Sequence, residues 1–442
     1  MERTTDVAPS LIPKSSFFIN RNFGLLWIGQ TISDLGDMIY LVTLSLWIAT
    51  IIAKNQFWAP AAISGLMIAT ALPTFTLGPF VGVFVDRWDK RSTMIRMDMI
   101  RAGLILLLIP LTGLIPLPFV VGPLPAFWQI GSIYGVALTA NICGQFFTPA
   151  RFTILSEILP EPQRVHASVM EQTSGSIVKI LGPLLAAPLL FLVGVQWALI
   201  LNALSFMVSF AAILAMRVQS KSRENSRKTA QANFLRELKE GLSFYRQSRL
   251  MLTLFISVLI VTLGTGAFDA LMIFFFQQNL HAPASLFGTL PMAAGAGAVL
   301  GALLATPLVK RLGSVRLFWL SLYIVGIVVI LFARQSILWL ALALLCTAGL
   351  PLGALNAAVG PLLMHIIPHE IMGRVMGVFA TSQTLCSLVS VSIAGLLGTF
   401  LIGLHANLLG IVFGTYDTIY LGTGLLFLLG ALYAMINLRG LK

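Results

Sequence analysis

Four ionisable side chains sit inside long apolar runs: Asp34, Asp37, Lys179 and Asp269. On insertion scales such a charge costs about 2.5–3.5 kcal/mol at the centre of a membrane helix, so each is a candidate for function. Asp34 and Asp37 are three apart and share one helical face. Two carboxylates this close in a low dielectric do not both ionise readily, so one is expected to hold a proton near neutral pH. That is the chemistry of a proton carrier, loaded on one side and unloaded on the other. Asp37 lies about 14 residues into its run, or ~21 Å at the helical rise per residue. Lys179 lies at a similar depth in the fifth run, which leaves a second reading, a permanent Asp37–Lys179 pair that merely ties two helices. Asp269 lies nearer the outer end of its run. Gln30, Asn141, Gln145, Asn356 and Gln383 are polar residues in other runs. With Trp27, Trp47 and Phe268 they could line an amphipathic pocket, or they could equally bond helix to helix.

The elements that must hold these groups are membrane helices. The 442 residues are 57% hydrophobic and 10% charged, where a soluble domain carries about 25% charge. A bilayer core about 30 Å thick needs about 20 apolar residues per helix. Twelve runs meet this, at 23–50, 58–85, 92–116, 125–149, 166–193, 195–216, 250–277, 285–309, 316–333, 336–364, 371–400 and 414–438. The net charge of +12 invites a nucleic-acid reading, but its placement argues against one. With both termini inside, 24 of the 28 Lys and Arg fall in inner segments, and only Lys54 and Arg334 fall outside. This is the positive-inside bias, and it places both termini in the cytoplasm. Residues 1–22 carry no signal-peptide profile, so the first helix is expected to serve as its own insertion signal. The three cysteines show no paired spacing and read as filler without a disulfide or metal role.

The chain reads as two halves. Residues 1–22 form an inner N-terminal segment, 23–216 a first six-helix bundle, 217–249 a linker and 250–442 a second bundle. Within the linker, 234–247 has helical apolar spacing with basic residues between, and is expected to lie along the inner membrane surface. Gly78 and Gly82 recur as Gly297 and Gly301, with Ala305 at the place of Asp86. Gln30, Asp34 and Asp37 recur in offset as Thr262, Gly266 and Asp269. Six-plus-six duplication is a transporter plan, with substrate near the midplane between the halves.

Residues 78–91, GPFVGVFVDRWDKR, pack Asp86, Arg87, Asp89, Lys90 and Arg91 into six positions between two runs. Through Gly82, Asp86, Arg87, Lys90 and Arg91 the stretch resembles the inner loop between helices two and three of major facilitator superfamily transporters, with Asp89 where Gly is more usual. The wording DRWDKR is most similar to the efflux branch that holds macrolide and enterobactin exporters. The resemblance implies an all-α integral membrane fold of twelve helices in two pseudo-symmetric six-helix bundles. It also implies that Asp86 steadies one state by facing the start of the eleventh helix near Glu370 and Arg374, where a helix N-terminus attracts a carboxylate. Asp98 and Arg101, three apart in the third helix, extend that network. Gly175, Gly182 and Pro183, with Ala186, are similar to the antiporter signature of the fifth helix, though Val178 replaces its leading Gly. In that branch an acidic residue follows Gly in the first helix, here Gly36-Asp37, and a basic one precedes Gly-Pro in the fifth, here Lys179. Ala140 stands where many proton/drug antiporters carry Arg, so their proton relay does not transfer to this chain.

Other patterns carry less. GAGAVLG at 295–301 is small-residue packing, and no phosphate-binding loop of the G-x-x-x-x-G-K-[ST] type exists. His365 and His369 flank an inner turn without further ligands, so no metal site is expected. The resemblance implies a secondary transporter, not an enzyme. The expectation is a proton-coupled antiporter that exports amphipathic small molecules such as drugs or macrolides by alternating access. A siderophore or metabolite exporter and a transport-inactive sensor stay open. The proton gradient serves as energy source without a cofactor. The partners are substrate, protons and the lipid bilayer, not nucleic acid; the chain is read as a monomer in the bacterial plasma (inner) membrane.

Overall fold

The computed structural model describes residues 19–113, 124–217, 242–246, 248–367, 371–403, 406–408 and 411–439. Twelve long helices follow in chain order: α1 Arg21–Trp47, α2 Ala59–Arg87, α3 Lys90–Leu106, α4 Ala126–Ile158, α5 Glu161–Pro188, α6 Val195–Ala215, α7 Arg249–Gln278, α8 Thr289–Leu312, α9 Ser314–Ala333, α10 Leu338–Ile366, α11 Met372–Phe400 and α12 Thr415–Leu438. Among the described residues, eleven of them are long and apolar enough to cross a membrane. The twelfth, α3, has 17 residues and carries Lys90, Arg91, Arg96, Asp98 and Arg101. It is shorter than the run at 92–116, giving way to a 3-10 turn at Ile109–Thr112.

A second boundary also moves. The run ending at Pro149 continues to Ile158, because a proline inside a membrane helix is tolerated where neighbours satisfy the freed carbonyl. Arg151 therefore belongs to a helix, not to a loop. The fold is all-α, with one small addition before α12: β1 Ala406–Leu408 pairs antiparallel with β2 Ile411–Phe413. Most of the expected linker helix at 234–247 lies outside the described residues. Its part at 242–246 is helical, and Tyr245 there is buried and donates to the Val375 carbonyl at 3.1 Å.

Helix starts are set locally. Asn20 accepts from the Phe23 amide at 2.8 Å and Asp89 from the Ser92 amide at 2.7 Å, each satisfying a first-turn donor. The Asp89 cap gives a physical reason for an acidic residue where the resemblance leads one to expect glycine.

The start of α1 and the end of α12 lie at one end of the bundle, here the basic end, and the other is the far end. Among the described residues, the shared apolar core of the two halves lies at the far end, with Leu44, Ile48, Ile63 and Leu66 beside Leu271, Phe275, Leu290 and Tyr420. At the basic end the core splits. Phe23, Leu26, Met94 and Ile213 pack within the first half, while Met251, Val375, Leu254 and Phe318 pack within the second. The seams agree: Gly395 and Gly398 of α11 press on Ser64 and Pro60 of α2, and Gly288 presses on Pro183 of α5, all in the far-end half. Toward the basic end, a Cβ on Gly82 or Gly377 would meet nothing from a neighbouring helix within 4 Å. A cleft between the halves therefore opens at the basic end.

Candidate functional site

The site is built on close approach of α1 and α6. A Cβ on Gly29 would strike Ala212, and one on Gly36 would strike Ser205 and Asn202. These two glycines, seven apart on one face, bring the polar row Asn202, Ser205 and Ser209 against α1. Asn202 then donates to Asp37 Oδ1 at 3.2 Å. Gln30 donates to the Ser209 hydroxyl at 2.7 Å, and Ser209 donates to Asp98 Oδ2 at 2.6 Å. Asp98 is fully buried and pairs closely with Arg101. Arg101 reaches on to Asp37, Nη1 to Oδ2, at 3.8 Å.

The result is one chain of polar contacts through α1, α3 and α6, with Arg101 shared between two carboxylates. Its guanidinium lies 4.7 Å from the Phe147 ring centroid and 4.3 Å from that of Phe206. Those faces hold a cation in place while excluding water. The two carboxylates differ in access. Asp98 is sealed, but the Asp37 side chain is 44% exposed and faces open space. Asp37 can therefore exchange protons or meet a cation, while Asp98 keeps Arg101 anchored.

The sequence suggests Lys179 as the partner of Asp37, and the geometry differs. Lys179 forms no ion pair among the described residues, and the cation beside Asp37 is Arg101. Lys179 does face the cleft. The lipid side of α5 carries the exposed Ile177, Leu181 and Leu185, while Gln172, Ser176 and Lys179 lie on the opposite side, between the α1 and α8 contacts. Asp98 and Arg101 likewise leave the inner-loop network expected for them, because Ser209 and Asp37 hold them deeper in the bundle. Gln30 is buried in that chain and does not line a pocket. A second pair escapes sequence reasoning: Arg151 of α4 bonds Glu171 of α5 at 2.6 Å. Asp34 is exposed one turn toward the basic end, within the fields of Arg151, Arg101 and Glu171.

The inner loop does capping work. Lys90 donates to the carbonyls of Val85 and Trp88 at 2.8 and 2.9 Å, closing the end of α2. Arg91 donates to the Ile213 and Leu214 carbonyls at 3.2 and 2.7 Å, closing α6. Orphan carbonyls at a helix C-terminus are the natural partners of such cations. Arg87 and Arg374 are exposed. The Asp86 side chain and Glu370 lie outside the described residues. In α5, Gly182 packs on Met38, Ala186 is buried with Ile39, and Gly175 has nothing within 4 Å. Only the far part of that small-residue stripe is therefore a packing seam, and Pro183 sits in it.

The remaining polar candidates divide. Asn141 donates to its own helix at the Ala137 carbonyl, and Gln145 donates to Thr74 across to α2. Asn356 is exposed and Gln383 half-buried. Trp47 is buried in the far-end core, and Phe268 stacks among Phe332 and Tyr420, so neither lines a pocket. Asp269 does line one. A cavity of about 210 Å³ lies between the halves, walled by Met67, Thr70 and Ala71 of α2, Gly266 and Asp269 of α7, and Ser387, Leu388 and Val391 of α11. Among the described residues no group of three or more His, Cys, Asp or Glu is arranged to hold a metal.

Comparison with known proteins places this architecture. The chain is 25% identical over 436 residues to the uncharacterized MFS-type transporter YkuC of Bacillus subtilis (strain 168), covering 95% of this chain and 93% of that one. Macrolide efflux protein A of Streptococcus pyogenes is 23% identical over 229 residues, 51% of this chain and 52% of that one. The crystal structure of the nucleoside transporter NupG superposes with a TM-score of 0.69 at 12% identity, over 95% of this chain and 99% of that one. At that identity the likeness speaks for the fold. Two six-helix halves around a cleft, with charges buried in its wall, agree with the family model that matches residues 26–391, and the chain is a transporter of the Major Facilitator Superfamily.

Proposed function

We propose that this transporter is a proton-coupled exporter of amphipathic small molecules, working by alternating access. The observation that carries the proposal is Asp37: a carboxylate open to the cleft, yet tied to Asn202 of α6 and to an Arg101 that Asp98 anchors. The basic end is the cytoplasmic one, with both termini inside, in the bacterial inner membrane. Arg21, Arg87, Lys90, Arg91, Lys310 and Arg311 crowd that end, as the positive-inside rule requires. The described state is then open to the cytoplasm.

In the proposed cycle Asp37 takes a proton from outside when the far end opens. Its pair with Arg101 is released while Arg101 stays on Asp98. The proton leaves to the cytoplasm once the basic end reopens and Arg101 again faces the carboxylate. One charge crossing 100 mV supplies about 2.3 kcal/mol. That sustains a gradient of about fiftyfold. Asp86, in the last turn of α2, acts as a latch when the basic ends meet, since α11 begins opposite at Met372. Relatedness to a macrolide efflux protein supports the export direction and an amphipathic cargo.

The test is accumulation of a panel of fluorescent amphipathic dyes in expressing cells, with and without an uncoupler. Uncoupler-sensitive efflux is expected from the parent and none from Asp37→Asn at equal expression. Undiminished efflux by Asp37→Asn removes the coupling role. Dye uptake in place of efflux would reverse the direction.

A further inference from the structure

The cavity at Asp269 has three properties that the proton-coupling reading does not use. First, its carboxylate has no hydrogen-bond or ion-pair partner among the described residues, although Asp37, Asp98, Glu171 and Asp417 all have one. Second, the described interior is acidic: Asp34, Asp37, Asp98, Glu171 and Asp269 face only Arg101, Arg151 and Lys179 when all are ionised. Third, the walls pair apolar Met67, Leu388 and Val391 with hydroxyl-bearing Thr70 and Ser387. The Thr70 hydroxyl donates to the Met67 carbonyl at 2.8 Å, which leaves its lone pairs to accept.

We propose that this cavity seats the protonated primary or secondary amine of a cationic amphiphile, with its N–H groups on Asp269, Thr70 and Ser387. A primary ammonium has three donors and no acceptor, and it is matched by the Asp269 carboxylate, the Thr70 oxygen whose own O–H is spent on Met67, and the Ser387 oxygen, whose O–H can rotate away. A quaternary ammonium has charge but no donor and leaves the hydroxyls unused. Size sharpens the assignment. A water takes about 30 Å³ of liquid volume, so 210 Å³ equals about seven waters. Drug-sized ligands need about 300–1,000 Å³. The seat therefore takes an amine head with a short apolar neck, and the rest of the cargo extends into the cleft.

The seat also joins the halves, since α2 belongs to one and α7 and α11 to the other. Its walls lie one to two turns from the far-end seam of Gly395 on Ser64. Parting of that seam takes the walls away from each other. On the export reading, on which this clause rests, cargo is thus let go on the outside.

The experiment is calorimetric titration of the purified full chain in lipid nanodiscs without any gradient. The probes are phenethylammonium, its N,N,N-trimethyl analogue and neutral 2-phenylethanol. The parent is expected to bind the primary ammonium about tenfold more tightly than the alcohol and about fivefold more tightly than the trimethyl analogue. Asp269→Asn should lose about tenfold for the primary ammonium, whereas Arg334→Gln, at the far rim of the second half, should keep parental affinity. Thr70→Val and Ser387→Ala should each weaken it by about two- to fivefold, and they carry the test if Asp269→Asn does not fold. Equal affinity for the three probes, unchanged affinity in Asp269→Asn, or no binding by the parent overturns the proposal. With no gradient present, failure here leaves proton-driven efflux standing, and failure of the Asp37 assay leaves this site standing.

Discussion

The two halves follow the same helical path but spend their interiors differently. In the first half, the α1–α3–α6 packing encloses Gln30, Ser209, Asp98, Arg101, Asp37 and Asn202 in one polar chain. In the second, the helices in the same places, α7, α9 and α12, meet through rings. Phe268, Phe275, Phe332 and Tyr420 lie with centroids 4.8 to 6.0 Å apart. The glycine seams contrast too. Gly297 and Gly301 of α8 lie on the Cys346 and Leu350 carbonyls of α10. A Cβ on their counterparts Gly78 and Gly82 of α2 would meet at most a Gln145 oxygen, at 3.8 Å from Gly78. The second half is a close-packed apolar frame, and the first half holds the titratable machinery. Among the described residues, the carboxylate that the second half brings to the interface cavity is Asp269.

The largest test of this contrast is Arg101. Removing one member of a buried ion pair costs about 3–5 kcal/mol, because the other charge is left without compensation. Arg101→Leu should therefore lower thermal stability in detergent by that order and abolish transport. A double variant, Asp98→Leu with Arg101→Leu, should recover most of the stability but none of the transport. Asp269→Asn should leave the melting temperature near the parental value, since that carboxylate has no partner to lose among the described residues. A stable Arg101→Leu protein would mean that the polar chain is not what holds α1, α3 and α6 together.

Next in size is the pair of glycine seams. A Cβ on Gly301 falls on the Leu350 carbonyl carbon and oxygen, so Gly301→Ala forces two helix backbones apart. Overpacking of this kind costs about 1–3 kcal/mol. Gly82→Ala meets nothing within 4 Å and should melt with the parent. Its transport should nevertheless slow, because the basic end must close for the cycle to proceed and the α2 face will then be covered. Equal melting of both variants would erase the distinction between a packed frame and a moving face.

Much of this is legible in the residues. The apolar runs locate the helices within a few residues because a bilayer imposes a length. Asp37 and Asp269 stand out because a charge in such a run is costly. Partners are harder. Arg151 reads as a loop residue because the fourth apolar run ends at 149, yet α4 continues past it to Ile158. Arg101 reads as an extension of the inner-loop network because it stands three from Asp98 in the helix that follows the loop, although it lies 11 positions beyond Lys90, about 16 Å along the axis. Asn202, Ser205 and Ser209 carry a usable signal: three polar residues on one helical face, opposite the face of Gly29 and Gly36. The pairing of Asp37 with Arg101 instead of Lys179 depends on how α1, α3 and α5 rotate against each other, and no single run of sequence encodes that.

The smallest expected effect separates the two halves' remaining ion pairs. Arg151–Glu171 lies within the first half, with side chains 20% and 17% exposed. Arg334–Asp417 lies at the far rim of the second, at 3.0 Å, with Arg334 37% exposed. Asp417 does not depend on Arg334: it also accepts from Asn279 and from the Gly414 amide at the start of α12. Water and salt screen a rim pair, so Arg334→Gln should cost no more than about 1 kcal/mol and leave transport at the parental rate. That small cost should shrink further as ionic strength rises. Arg151→Gln should cost more, keep its effect in high salt and reduce transport, because Glu171 is then left largely buried without its cation, in the field of Asp34. If Arg334→Gln instead silenced transport, a charge in the second half would be working in the cycle, and the division between frame and machinery would fail.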